Sequence, residues 1–155
     1  MLFSMEPIGV VRSPYAETAQ VPRGLGAEHH AEGVLEILPQ FELGLTDIEG
    51  FSHLQVLWVF DRASGCELLG TPPTDTRPHG VFATRSPRRP NPIGLTVVTL
   101  LGRDGCKLSV RGVDMLDGTP ILDIKPYLSS IPAGELRRGW LDAVEASAKR
   151  RHATD

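Results

Sequence analysis

The sequence lacks most of the features that place a protein by inspection. Its only cysteines, Cys66 and Cys106, form no metal-ligand spacing and force no disulfide, so a reduced, cytoplasmic setting is the expectation. No apolar run approaches the roughly 20 residues of a membrane-spanning helix, so no membrane partner is expected. The N-terminus does not show the basic-then-apolar order of a secretory signal. Internal repeats and low-complexity segments are absent. The net charge of −3 and pI of 5.9 exclude a general polyanion binder, so any nucleic-acid contact must come from a local patch.

Common catalytic signatures are missing as well. Gly24-Leu25-Gly26 begins like a dinucleotide fingerprint, but His29 stands where the third glycine belongs and no strand leads directly into it. No Gly-Lys-Ser/Thr phosphate loop occurs. His29 and His30 are sequence neighbours and point apart in an extended chain, which disfavours a shared metal, and no metal site is expected. Ser86 and His79 do not form a nucleophile elbow. His53, flanked by apolar strand residues, reads as a packed histidine.

What remains is a chain of 155 residues with 41% hydrophobic and 23% charged residues, which is one domain, 1–155, with room for a real core. Strands are expected at Ile8–Val11, Gly33–Leu38, His53–Phe60, Val81–Thr84, Leu95–Leu101, Lys107–Val113 and Ile121–Ile124. Arg103-Asp104-Gly105 and Asp117-Gly118-Thr119 carry tight-turn chemistry. One helix is expected from Gly134 to about Arg150, with Leu136, Trp140, Leu141 and Val144 on one face. Short strands with frequent Gly and Pro punctuation and no crossover helices predict a mainly β fold. An antiparallel barrel or sandwich with a core at about 5–130, followed by the C-terminal helix, is expected.

The most informative stretch is Gly80 to Gly94. Pro87, Pro90 and Pro92 fix their own φ and hold the residues before them extended, so this loop is stiff before any ligand arrives. From Arg77 to Gly94 there are four arginines and no acidic residue. A rigid, locally cationic loop between strands is expected either to contact an anion or nucleic acid or to be a surface hairpin with solvated arginines. Other strand ends carry polar residues beside Gly or Pro: Arg23-Gly24, Asp61-Arg62, and Asp117 to Pro120. In a barrel such ends can converge on one rim, and glycines there let backbone N–H groups approach a ligand. Asp114, Asp117 and Asp123 cluster around the second turn, where ordinary turn chemistry is the competing explanation.

Taken together, Pro7–Tyr15, Val21-Pro22-Arg23, Asp47–Leu54, Gly80–Gly94 and Asp117–Tyr127 resemble the TsaA-like (YaeB-like, TrmO-type) tRNA methyltransferases. The Arg-Pro-Asn-Pro-Ile-Gly and Asp-Gly-Thr-Pro…Asp-Ile-Lys-Pro-Tyr segments carry the resemblance most specifically. It implies an S-adenosylmethionine-dependent enzyme on a small β-barrel, acting as a homodimer with the cofactor near the subunit interface. The implied substrate is tRNA bearing threonylcarbamoyladenosine beside the anticodon, methylated on the exocyclic nitrogen. A non-catalytic S-adenosylmethionine-binding sensor is the alternative. Carried over by position, the implied cofactor contacts are Arg23, Gly24, Asp61, Arg62, Arg85, Pro92, Val97, Asp117, Gly118, Thr119 and Pro120. The implied catalytic candidates are Tyr127, Asn91 and Asp123. Tyr127 or a nearby Asp would take the proton that the nitrogen loses, and Tyr15, Phe82 or Tyr127 would supply a stacking surface for the base.

Overall fold

The computed structural model describes residues 1–23 and 27–154. Eight strands and one α-helix are present among them: β1 Gly9–Arg12, β2 Glu32–Ile37, β3 His53–Val59, β4 Leu69–Gly70, β5 His79–Gly80, β6 Ile93–Asp104, β7 Lys107–Arg111, β8 Pro120–Pro126 and α1 Trp140–His152. Six strands close into an antiparallel barrel in the order β1-β2-β7-β6-β3-β8, and β4 and β5 form a separate two-stranded ribbon. Closure removes the free edges that a small open sheet would expose. It is completed where β8 returns to β1, pairing Gly9 with Ile121 and Val10 with Pro120.

The alternation of the strands sets the core. In β3, Leu54, Val56 and Trp58 point inward; in β7, Leu108 and Val110 do so, while Lys107, Ser109 and Arg111 face out. Val11, Leu35, Val98, Val113, Met115 and Ile121 complete an interior of fully buried side chains. Each contributes about 1.5–3 kcal/mol by leaving water. Gly94 is paired with Trp58 across β3 and β6, and the indole occupies the space a Cβ at Gly94 would need. The pair admits one large ring because its partner has no side chain.

β6 is long because it serves two neighbours in turn. Its first half, Ile93–Thr99, pairs with β3, and its second half, from Thr99 to Asp104, pairs with β7 across a register shift between Leu100 and Gly102. The Asp104-Gly105 turn expected from the sequence joins β6 to β7, with Gly105 at φ 59°. Beside Leu95–Val97, on the side away from β3, β6 has no strand partner among the described residues.

Two expected elements differ. Val81–Ala83 is a 3-10 turn and not a strand: Thr84 returns both its N–H and its hydroxyl to the Val81 carbonyl, which curls the chain. The strand pairing there lies just before it, in β4–β5. The helix begins at Trp140 and not at Gly134, because Gly139 turns the chain at φ 58° and the Asp142 carboxylate accepts the Arg138 N–H at the start of α1. Residues 133–135 form only a 3-10 turn, and no residue of α1 is fully buried. The expected apolar face is therefore reduced to a few anchors. The Trp140 indole donates to the Ala83 carbonyl at 2.9 Å and stacks on His79 with ring centroids 4.3 Å apart. His79 in turn donates from Nε2 to Asp75 Oδ2 at 2.6 Å. That hydrogen bond, first among several causes, holds the Asp75 carboxyl below its ordinary value, with burial pulling the other way.

Gly94→Ala is expected to lower stability by about 1–3 kcal/mol, since the new methyl overpacks the Trp58 ring; urea unfolding followed by tryptophan fluorescence measures this. Because the folded Asp75 carboxyl is lowered, its contribution is complete above the unfolded value of about 3.9 and is lost as pH falls below it. Asp75→Asn is therefore expected to flatten the drop in thermal midpoint between about pH 6 and about pH 3 relative to the parent.

Candidate active site

The place where β6 loses its second neighbour is a cleft of about 520 Å³, lined by His29, Gln55, Arg85, Leu95, Thr96, Val97, Gly112, Asp114 and Tyr127. Its construction follows from local sequence. After β7 the chain must turn sharply, and Gly112 takes φ 101°, a conformation side chains disfavour. Gly112 passes so close to β6 that a Cβ would touch the Val97 carbonyl oxygen and the His29 carbonyl oxygen. The N–H groups of Gly112 and Val113 both bond the Ala31 carbonyl. Val113 is then drawn into the core, which leaves Asp114 beside the first half of β6.

Asp114 is fixed there by a short chain of hydrogen bonds. Trp58 Nε1 donates to Thr96 Oγ1 at 3.0 Å, and that hydroxyl donates to Asp114 Oδ1 at 2.6 Å. Thr96 is only 7% exposed, so the link is shielded from water and correspondingly strong. The described residues make no other hydrogen bond to the carboxylate, and its remaining lone pairs are available to the cleft. Arg85 enters the same cleft from the proline-rich loop. Tyr127 comes from the end of β8, where its N–H bonds the His53 carbonyl at 3.1 Å and its ring meets His53 edge-on. Leu95 and Val97 form an apolar wall. His29 Nδ1 is buried with no hydrogen-bond partner among the described residues, while its neighbour His30 turns out to Glu28.

The loop that carries Arg85 is tied to itself. Arg88 pairs with Glu67 at 2.7 Å, and the Arg88 carbonyl accepts the Glu67 N–H. Arg89 donates to the carbonyls of Thr84 and Ser86. The Pro92 carbonyl accepts the Phe60 N–H at 2.8 Å, anchoring the loop to the end of β3. The stiffness expected from the prolines is thus reinforced by bonds that use up two of the arginines.

The sequence-derived candidates fall into separate groups. Arg85, Val97 and Tyr127 share the cleft. Arg62, Asp117, Gly118, Thr119 and Pro120 gather at the turn before β8. There Arg62 donates to the carbonyls of Ala16 and Asp117, and the Asp117 carboxylate accepts the Ser13 N–H at 3.1 Å. Gly118 donates its N–H to Val11, and the buried Thr119 hydroxyl bonds the Leu116 carbonyl. These polar groups knit β8 to β1. Arg23 and Asp61 are exposed, and Gly24 lies outside the described residues. Pro92 and Asn91 sit in the loop before β6, and Asn91 accepts the Ile93 N–H on its backbone. Asp123 faces outward, pairs with Lys125 at 3.0 Å and bonds the Ile124 N–H. Neither Asn91 nor Asp123 lines the cleft. Asp114, Thr96, Gln55 and His29 do, and sequence reasoning did not place them there. The available signal was Asp114 directly after Gly112-Val113, a glycine-turned strand end carrying a carboxylate.

Residues 10–133 match the family model of the tRNA-methyltransferase O N-terminal domain. The chain is 50% identical over 151 residues to a probable S-adenosyl-L-methionine-binding protein of Archaeoglobus fulgidus, covering 96% of this chain and 41% of that protein. It is 41% identical over 136 residues to the tRNA (adenine(37)-N6)-methyltransferase of Escherichia coli, covering 81% of this chain and 58% of that one. A crystal structure of TrmO from Pseudomonas aeruginosa is similar with a TM-score of 0.71 at 40% identity, over 90% of this chain and 62% of that chain. The chain therefore spans between 41% and 62% of the length of these three proteins. Matched from β1 to just beyond β8, and alike in strand architecture, the chain belongs to the tRNA-methyltransferase O family through that family's N-terminal domain.

Proposed function

We propose that this chain is an S-adenosylmethionine-dependent methyltransferase of tRNA, acting on the exocyclic nitrogen of threonylcarbamoyladenosine beside the anticodon. The observation that carries this reading is the cleft, in which Arg85 and the Thr96-anchored Asp114 line one apolar-walled space with Tyr127. The donor set suits the cofactor. A carboxylate and a guanidinium in one cleft match a zwitterion, Leu95 and Val97 suit a heteroaromatic base, and the unpartnered His29 Nδ1 offers a further polar contact. When bound, the cofactor supplies an electrophilic methyl group on sulfur.

The chain's own residues do the rest. Rigid walls orient the two reactants, and in a direct displacement that positioning supplies much of the rate. Arg85 holds a carboxylate in place. Asp114, with one oxygen pinned by Thr96, takes the proton that the acylated nitrogen loses as its bond to the methyl group forms. Tyr127, half exposed at the cleft, stacks against the incoming base. Asn91 and Asp123, off the cleft, are left with supporting roles in the loop and on β8. A homodimer is part of the proposal. The outward side chains of Ile93, Leu95 and Val97 form an apolar strip on β6, each about two fifths exposed, and a second subunit covering it would close the cleft. Two free cysteines, one exposed, agree with a reduced cytoplasmic setting. No helix among the described residues is long and apolar enough to cross a membrane.

A second reading, a sensor that binds the cofactor without turnover, is favoured by one comparison: archaeal relatives such as that of Pyrococcus abyssi, 47% identical over 143 residues, are described as probable S-adenosyl-L-methionine-binding proteins.

Labelled S-adenosylmethionine, offered with tRNA pools with and without the threonylcarbamoyl group, separates these readings: label is expected only in the modified pool. Label in neither, with cofactor binding confirmed by calorimetry, would establish the sensor. Asp114→Asn is expected to lower kcat about 100-fold or more, and also to weaken cofactor binding, since the same carboxylate faces the cationic part of the cofactor. Thr96→Val, which frees the carboxylate without removing it, is expected to fall between that variant and the parent. Arg85→Ala is expected to weaken cofactor binding by about 1.5–3 kcal/mol in calorimetry, the loss of a charge-assisted hydrogen bond.

A further inference from the structure

The arginine-rich segment changes character once folded. Arg88 is held by Glu67, and Arg89 is folded back on its own loop. Arg85 at the cleft and Arg77 remain, and Arg77 has only a loose 3.9 Å approach to Asp75, whose carboxylate already serves His79 and the Thr76 N–H. The folded chain adds a second basic group to these. In the first half of α1 the acids are occupied: Arg138 makes a two-pronged pair with Glu145, at 2.9 Å on each oxygen, and approaches Asp142. The last turn, Lys149-Arg150-Arg151-His152, makes no ion pair among the described residues.

That turn lies against the segment carrying Arg77. Pro73–Arg77 and the Ala143–Arg151 side of α1 enclose a groove of about 360 Å³, with Arg77 and Arg151 both lining it alongside Thr76 and Ser147. The Thr74 hydroxyl, also in the lining residues, is buried without a hydrogen-bond partner among the described residues. The helix is held in this place by Trp140, through its bond to Ala83 and its stack on His79. Ala83 is two residues before Arg85. One continuous segment thus connects the cleft, the anchor of α1 and the groove, and α1, with 13 residues, sets its basic last turn about 20 Å from that anchor.

Basic residues at a helix C-terminus also complement the helix dipole, an effect of about 0.3–1 kcal/mol. That accounts for a cation near the end of α1. It does not account for Arg77 on the opposite wall, nor for a groove flanked by guanidiniums in a chain of net charge −3. Two guanidiniums and the Thr76 and Ser147 hydroxyls in one lining suit phosphodiester oxygens, and the Asp75 carboxylate that also lines the groove is already engaged by His79 and the Thr76 N–H.

We propose that the groove between Pro73–Arg77 and α1 grips the sugar-phosphate backbone of the RNA whose base enters the cleft. This rests on the RNA-methylation reading above and names the surface that serves it. The Pro73–Arg77 wall lies within the stretch matched by the family model, while α1 begins beyond it.

The test compares two full-length double variants that each remove two positive charges. R77A/R151A alters the groove; R103A/R111A removes arginines already paired with Glu49 and Glu32, outside the loop that carries Arg85. Binding of a fluorescent anticodon stem-loop RNA is followed by anisotropy from about 50 to 200 mM salt. R77A/R151A is expected to bind about tenfold more weakly at low salt, with a salt slope reduced by about 1.5. R103A/R111A should bind like the parent. Cofactor affinity, thermal midpoint and kcat at saturating RNA should be unchanged in R77A/R151A, with KM raised. Parental affinity and slope in R77A/R151A, or equal losses in both variants, overturn the groove. Selective loss in R77A/R151A from a parent that binds RNA but never methylates it would support the groove while removing the methyltransferase reading. A parent that binds no RNA overturns both.

Discussion

The contact on which the rest depends is the Trp58 indole lying over Gly94 with its N–H on Thr96. It joins the core and the site through one side chain. The ring fills the barrel where β3 and β6 pair, and the absence of a side chain at Gly94 is what makes room for it. The indole N–H cannot be left unpaired in that interior, so it requires an acceptor. Thr96 is that acceptor, and its own hydrogen is then directed to Asp114. A structural need inside the barrel thus orients a carboxylate at its surface.

The cleft exists because β6 changes partners. A strand of twelve residues, paired with β3 along its first half and with β7 along its second, leaves one stretch with a neighbour on only one side. In a closed barrel this is a local opening of the wall, and the side chains at its margins come from segments far apart in sequence: His29, Gln55, Arg85, Asp114 and Tyr127. The loop bearing Arg85 stays rigid because prolines limit its backbone and its own hydrogen bonds occupy what would otherwise be mobile arginines. Rigidity of this kind lowers the entropy lost when a ligand is held.

Charge is sorted in the same way. Although the chain is net acidic, several of its acids are engaged: Glu67 with Arg88, Glu145 and Asp142 with Arg138, Glu49 with Arg103. Arg138 holds the Glu145 carboxyl below its ordinary value, and the hydrogen bond Glu49 receives from its own backbone, followed by the approach of Arg103, does the same for Glu49. Among the described residues, Lys149, Arg150 and Arg151 at the end of α1 make no such pair, and Arg77 makes only a loose one. Net charge therefore says little about what this surface attracts, and the arrangement of pairs says more.

Much of this was legible in the residues. The alternation in Lys107–Val113, the Asp104-Gly105 turn and the scarcity of helix all pointed to an antiparallel barrel or sandwich, whereas the nearly continuous apolar run at His53–Phe60 shows its alternating burial only in the folded sheet. The Arg-Pro-Asn-Pro-Ile-Gly and Asp-Gly-Thr-Pro segments pointed to the family. Those signals are local: side-chain period, turn conformations and motif order are written in neighbouring residues. The start of α1 and the curl at Val81–Ala83 were not readable, because each depends on a balance of turn bonds against helix or strand propensity. The partition of the candidates was hidden too. Asp117 carries the stronger motif, and one of its oxygens accepts the Ser13 N–H where β8 meets β1, while the plainer Asp114 reaches the cleft. Which of two aspartates lines the cleft is decided only when strands distant in sequence come into register.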